Sequence, residues 1–308
     1  MADLHNIFKA QSGMRPNLAC EIRPEGVVAA RASAGRGQEA IVMAFAPLPG
    51  GVLTPGLKTP NLADPTTIQS AIETALGEVN ARTKALTLIV PDAAARVLLL
   101  DFDALPARRA EALSVVRFRL RKMVPFDVEG AAVSYQVMGR GDGQLNVLVT
   151  LMPGDVLAEY EGVVRQAGYQ PGAVLPSTLA AAAAMGDAAP ALMVNHASAS
   201  VTTAITRGDE MLLHRWMDLP ADPAVREEEI AQAVITTLAW YEDTLHASPQ
   251  ALCYTGAGGA NAAMQSRWVE LIHPAPQITD LIIPDHASAV TAIPGGVTAG
   301  VLGALAAQ

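Results

Sequence analysis

The sequence predicts an α/β protein with a duplicated core and a smaller inserted layer, and three observations carry that reading. Short runs rich in Val, Ile and Leu alternate with amphipathic helical stretches, the pattern of helices packed on a largely parallel sheet. A series of hairpin, helix and strand occurs near the start of the chain and again after residue 190. Composition agrees: of 308 residues 51% are hydrophobic but only 4% aromatic, so the interior is built from small aliphatic side chains. That length accommodates about two domains of roughly 150 residues.

The first unit opens with strands. Leu18 to Ile22 and Val27 to Arg31 flank the turn Pro24-Glu25-Gly26, and Glu39 to Phe45 continues the sheet. Pro47 to Pro60, rich in Pro and Gly, reads as an exposed loop. At Asp64-Pro65 a capping carboxylate precedes a proline suited to the first helical position. Ile68, Ile72, Leu76 and Val79 then share one helical face. Leu86 to Val90, ended by Pro91, is the unbroken apolar run of a buried parallel strand.

The second unit is the inserted layer. Arg96 to Phe102 is a strand, and a helix opened by Pro106 and closed by Pro125 carries Leu113, Val116, Leu120 and Val124 on its apolar face. Ala131 to Met138 and Leu145 to Met152 pair around Gly139-Arg140-Gly141-Asp142-Gly143, and Asp155 caps a helix that ends at Gly168. Residues 96–175 thus read β-α-β-β-α-β, expected to form a self-contained small layer.

The third unit repeats the first. Ala191 to Val194 and Val201 to Ile205 form a hairpin, and Met211 to Trp216 follows. Asp222-Pro223 starts a long helix with Glu227, Glu228 and Glu229 early and Ile230, Val234, Leu238, Tyr241 and Leu245 as its buried stripe. Leu252 to Tyr254 runs into a glycine cluster, and Pro294-Gly295-Gly296 introduces an alanine-rich terminal helix. The expected division is a first core over 1–95, 171–189 and 294–308, an inserted subdomain over 96–170, and a second core over 190–293.

Several function classes are excluded. A net charge of −9 argues against nucleic acid as a partner, because neutralising phosphates requires a basic surface. Cys20 and Cys253 lie far apart and match no metal or redox spacing, so both read as buried reduced thiols. Residues Met1 to Asn6 lack the basic flank and apolar stretch of a signal peptide, and no run of about 18 apolar residues occurs. A cytoplasmic protein is expected.

One run of residues is more specific. Val116, Arg117, Phe118, Arg119, Arg121 and Lys122 lead into Pro125-Phe126-Asp127, followed by a strand at Val133 to Val137. Together with Ala239-Trp240-Tyr241-Glu242 and the later Tyr254-Thr255-Gly256-Ala257-Gly258-Gly259, this resembles the PilM family of type IV pilus assembly proteins, soluble members of the actin-like ATPase superfamily. The resemblance implies an actin-like (ribonuclease H-like) duplicated fold, with the inserted unit where PilM-like and FtsA-like proteins carry theirs.

The resemblance also implies two glycine-containing phosphate hairpins, each led by an Asp that positions metal and water. Glycine lets backbone N–H groups approach the phosphates. Here the first hairpin reads Glu21-Ile22-Arg23-Pro24-Glu25, where proline removes a donor and Glu25 adds negative charge. The second reads Asn195-His196-Ala197-Ser198, with the Asp replaced and no glycine. Glu21 stands where the acid is expected, and Gly256, Gly258 and Gly259 match the nucleoside side. That cluster reads either as a tight turn or as residual contact with ATP and its magnesium. ATP hydrolysis is expected to be absent or negligible.

Other chemistry is weaker. His5, His196, His214, His246, His273 and His286 show no ligand spacing, so no metal site is expected. His196 near Ser198 and Ser200 lacks a nucleophile elbow. Asp101 and Asp103 fit turn chemistry better than paired catalytic carboxylates. The basic run of Arg108, Arg109, Arg117, Arg119, Arg121 and Lys122 reads either as a solvated helical face or as a docking patch for an acidic segment or anionic lipid.

The resemblance implies a non-enzymatic adaptor, peripheral to the inner membrane through its partner. That partner is the N-terminal cytoplasmic peptide of a PilN-like membrane protein, held between the first core and the inserted subdomain. Its expected contacts are Leu99, Arg117, Phe118, Arg121, Pro125 and Phe126. The alternatives are an active actin-like ATPase switch and a cytoplasmic GspL-like component of type II secretion.

Overall fold

The computed structural model describes residues 16–34, 39–141, 143–185, 190–208, 210–247, 251–256, 262–271, 277–280 and 286–306. Three sheets organise them. The first half contributes β1 (Leu18–Arg23), β2 (Gly26–Ala34), β3 (Glu39–Pro47), α1 (Pro65–Glu78) and β4 (Ala85–Val90). The chain continues through β5 (Arg96–Phe102), α2 (Arg109–Leu120), β6 (Ala131–Gly141), β7 (Gln144–Pro153), α3 (Gly154–Gln166), β8 (Gln170–Pro176) and α4 (Ser177–Ala182). The remainder holds β9 (Ala191–Ala197), β10 (Ser200–Arg207), β11 (Glu210–Asp218), α5 (Pro223–Leu245), β12 (Ala251–Gly256), α6 (Ala262–Leu271), β13 (Gln277–Asp280), β14 (Ala287–Ala289) and α7 (Ala299–Ala306).

Duplication is visible in strand order. One sheet runs β14-β3-β2-β1-β4-β8 and another β11-β10-β9-β12-β13. In each, three consecutive strands form an antiparallel meander, and two more add parallel to its first strand. Helices cover the first sheet on both faces, as buried parallel strands require. Leu18, Cys20 and Ile22 of β1 point to α1 and α3, while the alternate residue Ala19 packs on the side of α7. On α1 the stripe Ile68, Ile72, Leu76 and Val79 is fully buried, and Asp64 caps it by accepting from Thr67 N at 3.1 Å. Asp222 caps α5 in the same way, accepting from Ala224 N at 2.9 Å.

The small layer differs from its expected form. The chain order β5-α2-β6-β7-α3-β8 is as read, but only β5, β7 and β6 make a separate sheet. Strand β8 pairs parallel with β4 in the first large sheet, and α3 buries Val156, Tyr160, Val163 and Val164 against the same core as α1. Tyr160 and its neighbours form a stripe too apolar for a three-stranded layer to cover, so the layer is not self-contained. Helix α2 is also shorter than its bracketing prolines: Ala107 and Arg108 lie outside it, and Met123 N turns back to Leu120 O at 2.8 Å. Asp155 sits inside the first turn of α3, whose N-cap is Pro153.

The two large sheets meet through α4 and α7. Leu179, Ala181 and Ala182 of α4 and Ala299 of α7 pack with Met193 and Ala204 of the second sheet and Val97 and Leu148 of the small one. The other face of the small sheet, with Leu100, Phe102 and Val149, lies under Val116 and Leu120 of α2.

Candidate functional site

Polar residues at the ends of β1, β4, β8 and β9 converge between the two halves. Open α/β sheets present their ligand sites at such carboxyl ends. Glu21 is fully buried. Its Oε1 accepts from Arg23 Nη1 at 2.8 Å and from Ser177 Oγ at 2.7 Å. Arg23 Nε donates to Glu25 Oε2 at 3.4 Å, and the other oxygen of Glu25 accepts from Ser198 N at 3.2 Å, bridging the two hairpins. Asp92, just after β4, accepts from Thr178 N at 2.9 Å, Thr202 Oγ1 at 2.8 Å and Asn195 Nδ2 at 3.2 Å, and from Thr178 Oγ1. Asn195 Nδ2 also lies 2.8 Å from Thr178 Oγ1.

Electrostatics follow from burial. Loss of water pushes the Glu21 carboxyl above its ordinary range, and Arg23 and Ser177 oppose that shift. Burial works against the charge on Arg23, but the carboxylates of Glu21 and Glu25 outweigh it and hold the guanidinium charged. Burial also drives the Cys20 thiol up to about 12, which leaves it unreactive. His196 is lowered to about 4, first by burial and then by Arg226, with Glu25 opposing. Its Nδ1 lies 2.7 Å from Tyr254 Oη, and its Nε2 is buried with no hydrogen-bond partner among the described residues, Ser198 and Ser200 included.

These residues do not fit a magnesium-bound nucleotide. The space between the halves, lined by Glu21, Arg23, Pro24, Asp92, Ser177 and Asn195, is about 10 Å³, room for roughly one water. Glu21 faces a guanidinium in place of a metal, and the bonds around Asp92 occupy about the four acceptor positions a carboxylate offers. Among the described residues no three His, Cys, Asp or Glu side chains gather as a metal site. A side chain at Gly300 would run into Glu21 Oε2, so α7 closes the pocket from behind.

The nucleoside side is only partly described. A Cβ on Gly256 would lie 2.6 Å from the carbonyl oxygen of His196, so glycine here lets β12 lie beside β9. Its N–H donates to Gly296 O at 2.9 Å. Gly258 and Gly259 lie outside the described residues.

A separate groove of about 150 Å³ runs between the first core and the small sheet. Val133 and Ser134 of β6 and Thr150 and Met152 of β7 form one wall, and Val174 of β8 and Leu157 of α3 the other. None of the six contact residues expected from the sequence lines it. Alternation on β5 turns Leu99 toward the α4 side, whereas Phe126 packs with the α2 cluster on the opposite face. Arg117 staples α2 to the strand start through Ala131 O at 2.9 Å and through Val128 O. Phe118 is 71% exposed, with the Arg121 guanidinium 5.9 Å from its ring, and Pro125 is exposed. Arg121 pairs with Glu129 at 2.6 Å. The basic run is therefore partly self-neutralised and partly a support for its own helix.

Asp92, Ser177, Thr178 and Thr202 were not singled out in the sequence. Pro91-Asp92 and Pro176-Ser177-Thr178, polar residues directly following buried parallel strands, were the available sign.

Two halves of matching strand order, joined across a cleft at their strand ends, define an actin-like duplicated α/β fold. The chain is similar in structure to one in the PilM–PilN type IV pilus biogenesis complex, with a TM-score of 0.77 and 18% identity over 96% of this chain and 99% of that one. It is also similar to the cytoplasmic domain of EpsL, an inner membrane component of the type II secretion system of Vibrio cholerae, at a TM-score of 0.50 and 11% identity over 92% of each chain. No protein-family model matches the sequence, and no curated protein matches it either. Among the described residues no helix is long and apolar enough to cross a membrane.

Proposed function

We propose that this chain is a PilM-like adaptor of a type IV pilus assembly platform, acting in the cytoplasm at the inner membrane. In this reading it captures the N-terminal cytoplasmic peptide of a PilN-like membrane protein in the groove bounded by β6, β7, β8 and α3. The observation that carries the proposal is that apolar groove, on a fold similar to PilM of the PilM–PilN complex. An extended peptide placed there gains apolar pockets for alternate side chains. Arg23 in the inter-half pocket makes the adaptor a pseudo-ATPase, since its guanidinium takes the place of a metal beside Glu21. The same observation weighs against the ATPase switch.

Calorimetric titration with the N-terminal peptide of a neighbouring PilN-like protein tests the reading. Ser134 is exposed, so Ser134→Trp fills the groove without disturbing the core. It is expected to weaken binding at least about tenfold, a loss of about 1.4 kcal/mol. Phe118→Ala is expected to leave affinity unchanged. Absence of heat with the unaltered protein, or full affinity in Ser134→Trp, overturns the assignment. Stronger capture of the corresponding type II secretion peptide favours the GspL-like alternative.

A further inference from the structure

The basic run on α2 is used by neither the peptide groove nor the inter-half pocket. Residues 108–123 hold six of the chain's 21 Lys and Arg but only one of its 30 Asp and Glu. The protein around them is acidic, with a net charge of −9. Arg117 is engaged by the carbonyls of Val128 and Ala131. Five cations remain exposed: Arg108, Arg109, Arg119, Arg121 and Lys122.

The outward side of the helix is apolar at its crest. Val116 and Leu120 are fully buried on the small sheet. Phe118 stands about 160° around the helix from each of them, on the side farthest from that core. Val115, three residues earlier, and Met123, in the turn that follows, are exposed as well. A single exposed apolar residue is ordinary on a soluble protein. Here three of them share one convex face with Arg119 and Lys122.

Charge is divided unevenly around that face. Arg117 and Arg121, one turn apart, both reach the segment 128–131, where Arg121 pairs with Glu129 at 2.6 Å. Asp127, beside it, accepts from the main-chain N–H groups of Glu129 and Gly130 at 3.1 and 3.2 Å. The carboxylates after the helix therefore lie on its Arg117 side. Glu111 pairs with Arg108 at 3.3 Å, and Asp101 and Asp103 precede the first turn. Arg119 and Lys122, at the other end of α2, form no ion pair among the described residues.

We propose that this face of α2 rests directly on a bilayer carrying anionic phospholipid headgroups. Phe118 enters between the headgroups, and Arg119 and Lys122 hold their phosphates. The shape selects a bilayer over an acidic peptide. None of the cavities described, that of about 450 Å³ beside Trp216 included, is lined by a residue of α2. A peptide is gripped by a groove, whereas a flat interface accepts a ridge whose apolar crest enters while basic stems reach back to the phosphates. Each Lys or Arg near such a surface strengthens binding about fivefold. The acidic remainder of the chain is repelled, which fixes the orientation. The contact needs no partner peptide.

The test sediments the full chain with sucrose-loaded vesicles of equal parts phosphatidylglycerol and phosphatidylcholine, with no peptide present. Binding is expected at about 0.1 M salt, and at least about tenfold more weakly to phosphatidylcholine alone. Arg119→Glu with Lys122→Glu should weaken it at least about tenfold, and Phe118→Ser at least about threefold. Phe118→Leu, which keeps an apolar crest, should retain most of it. Lys58→Glu with Arg82→Glu, the same reversal at two exposed cations outside α2, should leave binding unchanged. Thermal unfolding shows that each variant is folded. No sedimentation with the anionic vesicles, or equal binding to phosphatidylcholine, overturns the proposal. Full binding in Phe118→Ser or in the α2 double variant, or an equal loss in the control pair, does the same. Saturable binding of a blocked hexaglutamate peptide in preference to the vesicles overturns it in favour of an acidic protein segment.

Discussion

Two clefts flank the centre of this molecule, and they have been treated in opposite ways. Between the two halves, Arg23 bonds Glu21, Asn195 bonds Asp92, Ser177 joins the two pairs, and only about 10 Å³ remains. Between the small sheet and the second core, about 450 Å³ stays open, with Trp216 Nε1 and His214 Nε2 unpartnered. Asp92 borders both. These bonds tie the halves together there, although Glu21 Oε2 and Asn195 Oδ1 are buried with no hydrogen-bond partner among the described residues. In the open cleft Trp216 Nε1, which can only donate, is buried with no partner among the described residues.

The sharpest way to break the first cleft is Arg23→Met, which leaves Glu21 buried without its countercharge. It is expected to lose about 3–5 kcal/mol in urea unfolding, whereas Glu21→Leu with Arg23→Met recovers most of that loss. A small loss in the single variant would mean that water reaches Glu21. Acid unfolding gives the next effect. His196 has its pKa lowered from 6.5 to about 4, so its contribution is complete above pH 6.5 and is lost as pH falls toward 4. That contribution is at most about 3 kcal/mol, and His196→Gln should flatten the stability profile across this window. Gly300→Ala presses a methyl group on Glu21 Oε2 and should cost about 1–3 kcal/mol by thermal unfolding. On the open side, Arg96→Gln should change stability by less than about 1 kcal/mol, since among the described residues Arg96 forms no ion pair and only the more distant Asp218 charge favours it. Phe118→Ser on exposed α2 should stay within about 0.5 kcal/mol.

Legibility tracked how local the determinants were. The stripe of α1, the caps at Asp64 and Asp222, and the β1–β2 and β9–β10 hairpins all follow from spacing within a few turns of chain, and each is present. The absence of glycine from the turn Arg23-Pro24-Glu25 and from Asn195 to Ser198 was equally visible, because it is written in the residues themselves. What fills the space between those hairpins was not visible. Arg23 sits two residues from Glu21, on the same side of β1, yet Ser177, which donates to Glu21, follows β8, and Asp92, which lines the same space, follows β4. The expected contact residues do not line the groove for a related reason: alternation shows that neighbouring β5 residues face oppositely, but not which face meets α4 and which meets α2.

Periodicity and turn chemistry, acting through near neighbours, were enough to establish the helices, the meanders and their repetition. Which sheet receives β8, what fills the inter-half cleft and which edges stay unpaired were decided only on folding. Those outcomes depend on side chains up to 156 residues apart meeting at hydrogen-bond distance, as Ser177 and Glu21 do. No local pattern carries that information, because burial assigns partners only once every layer is in place.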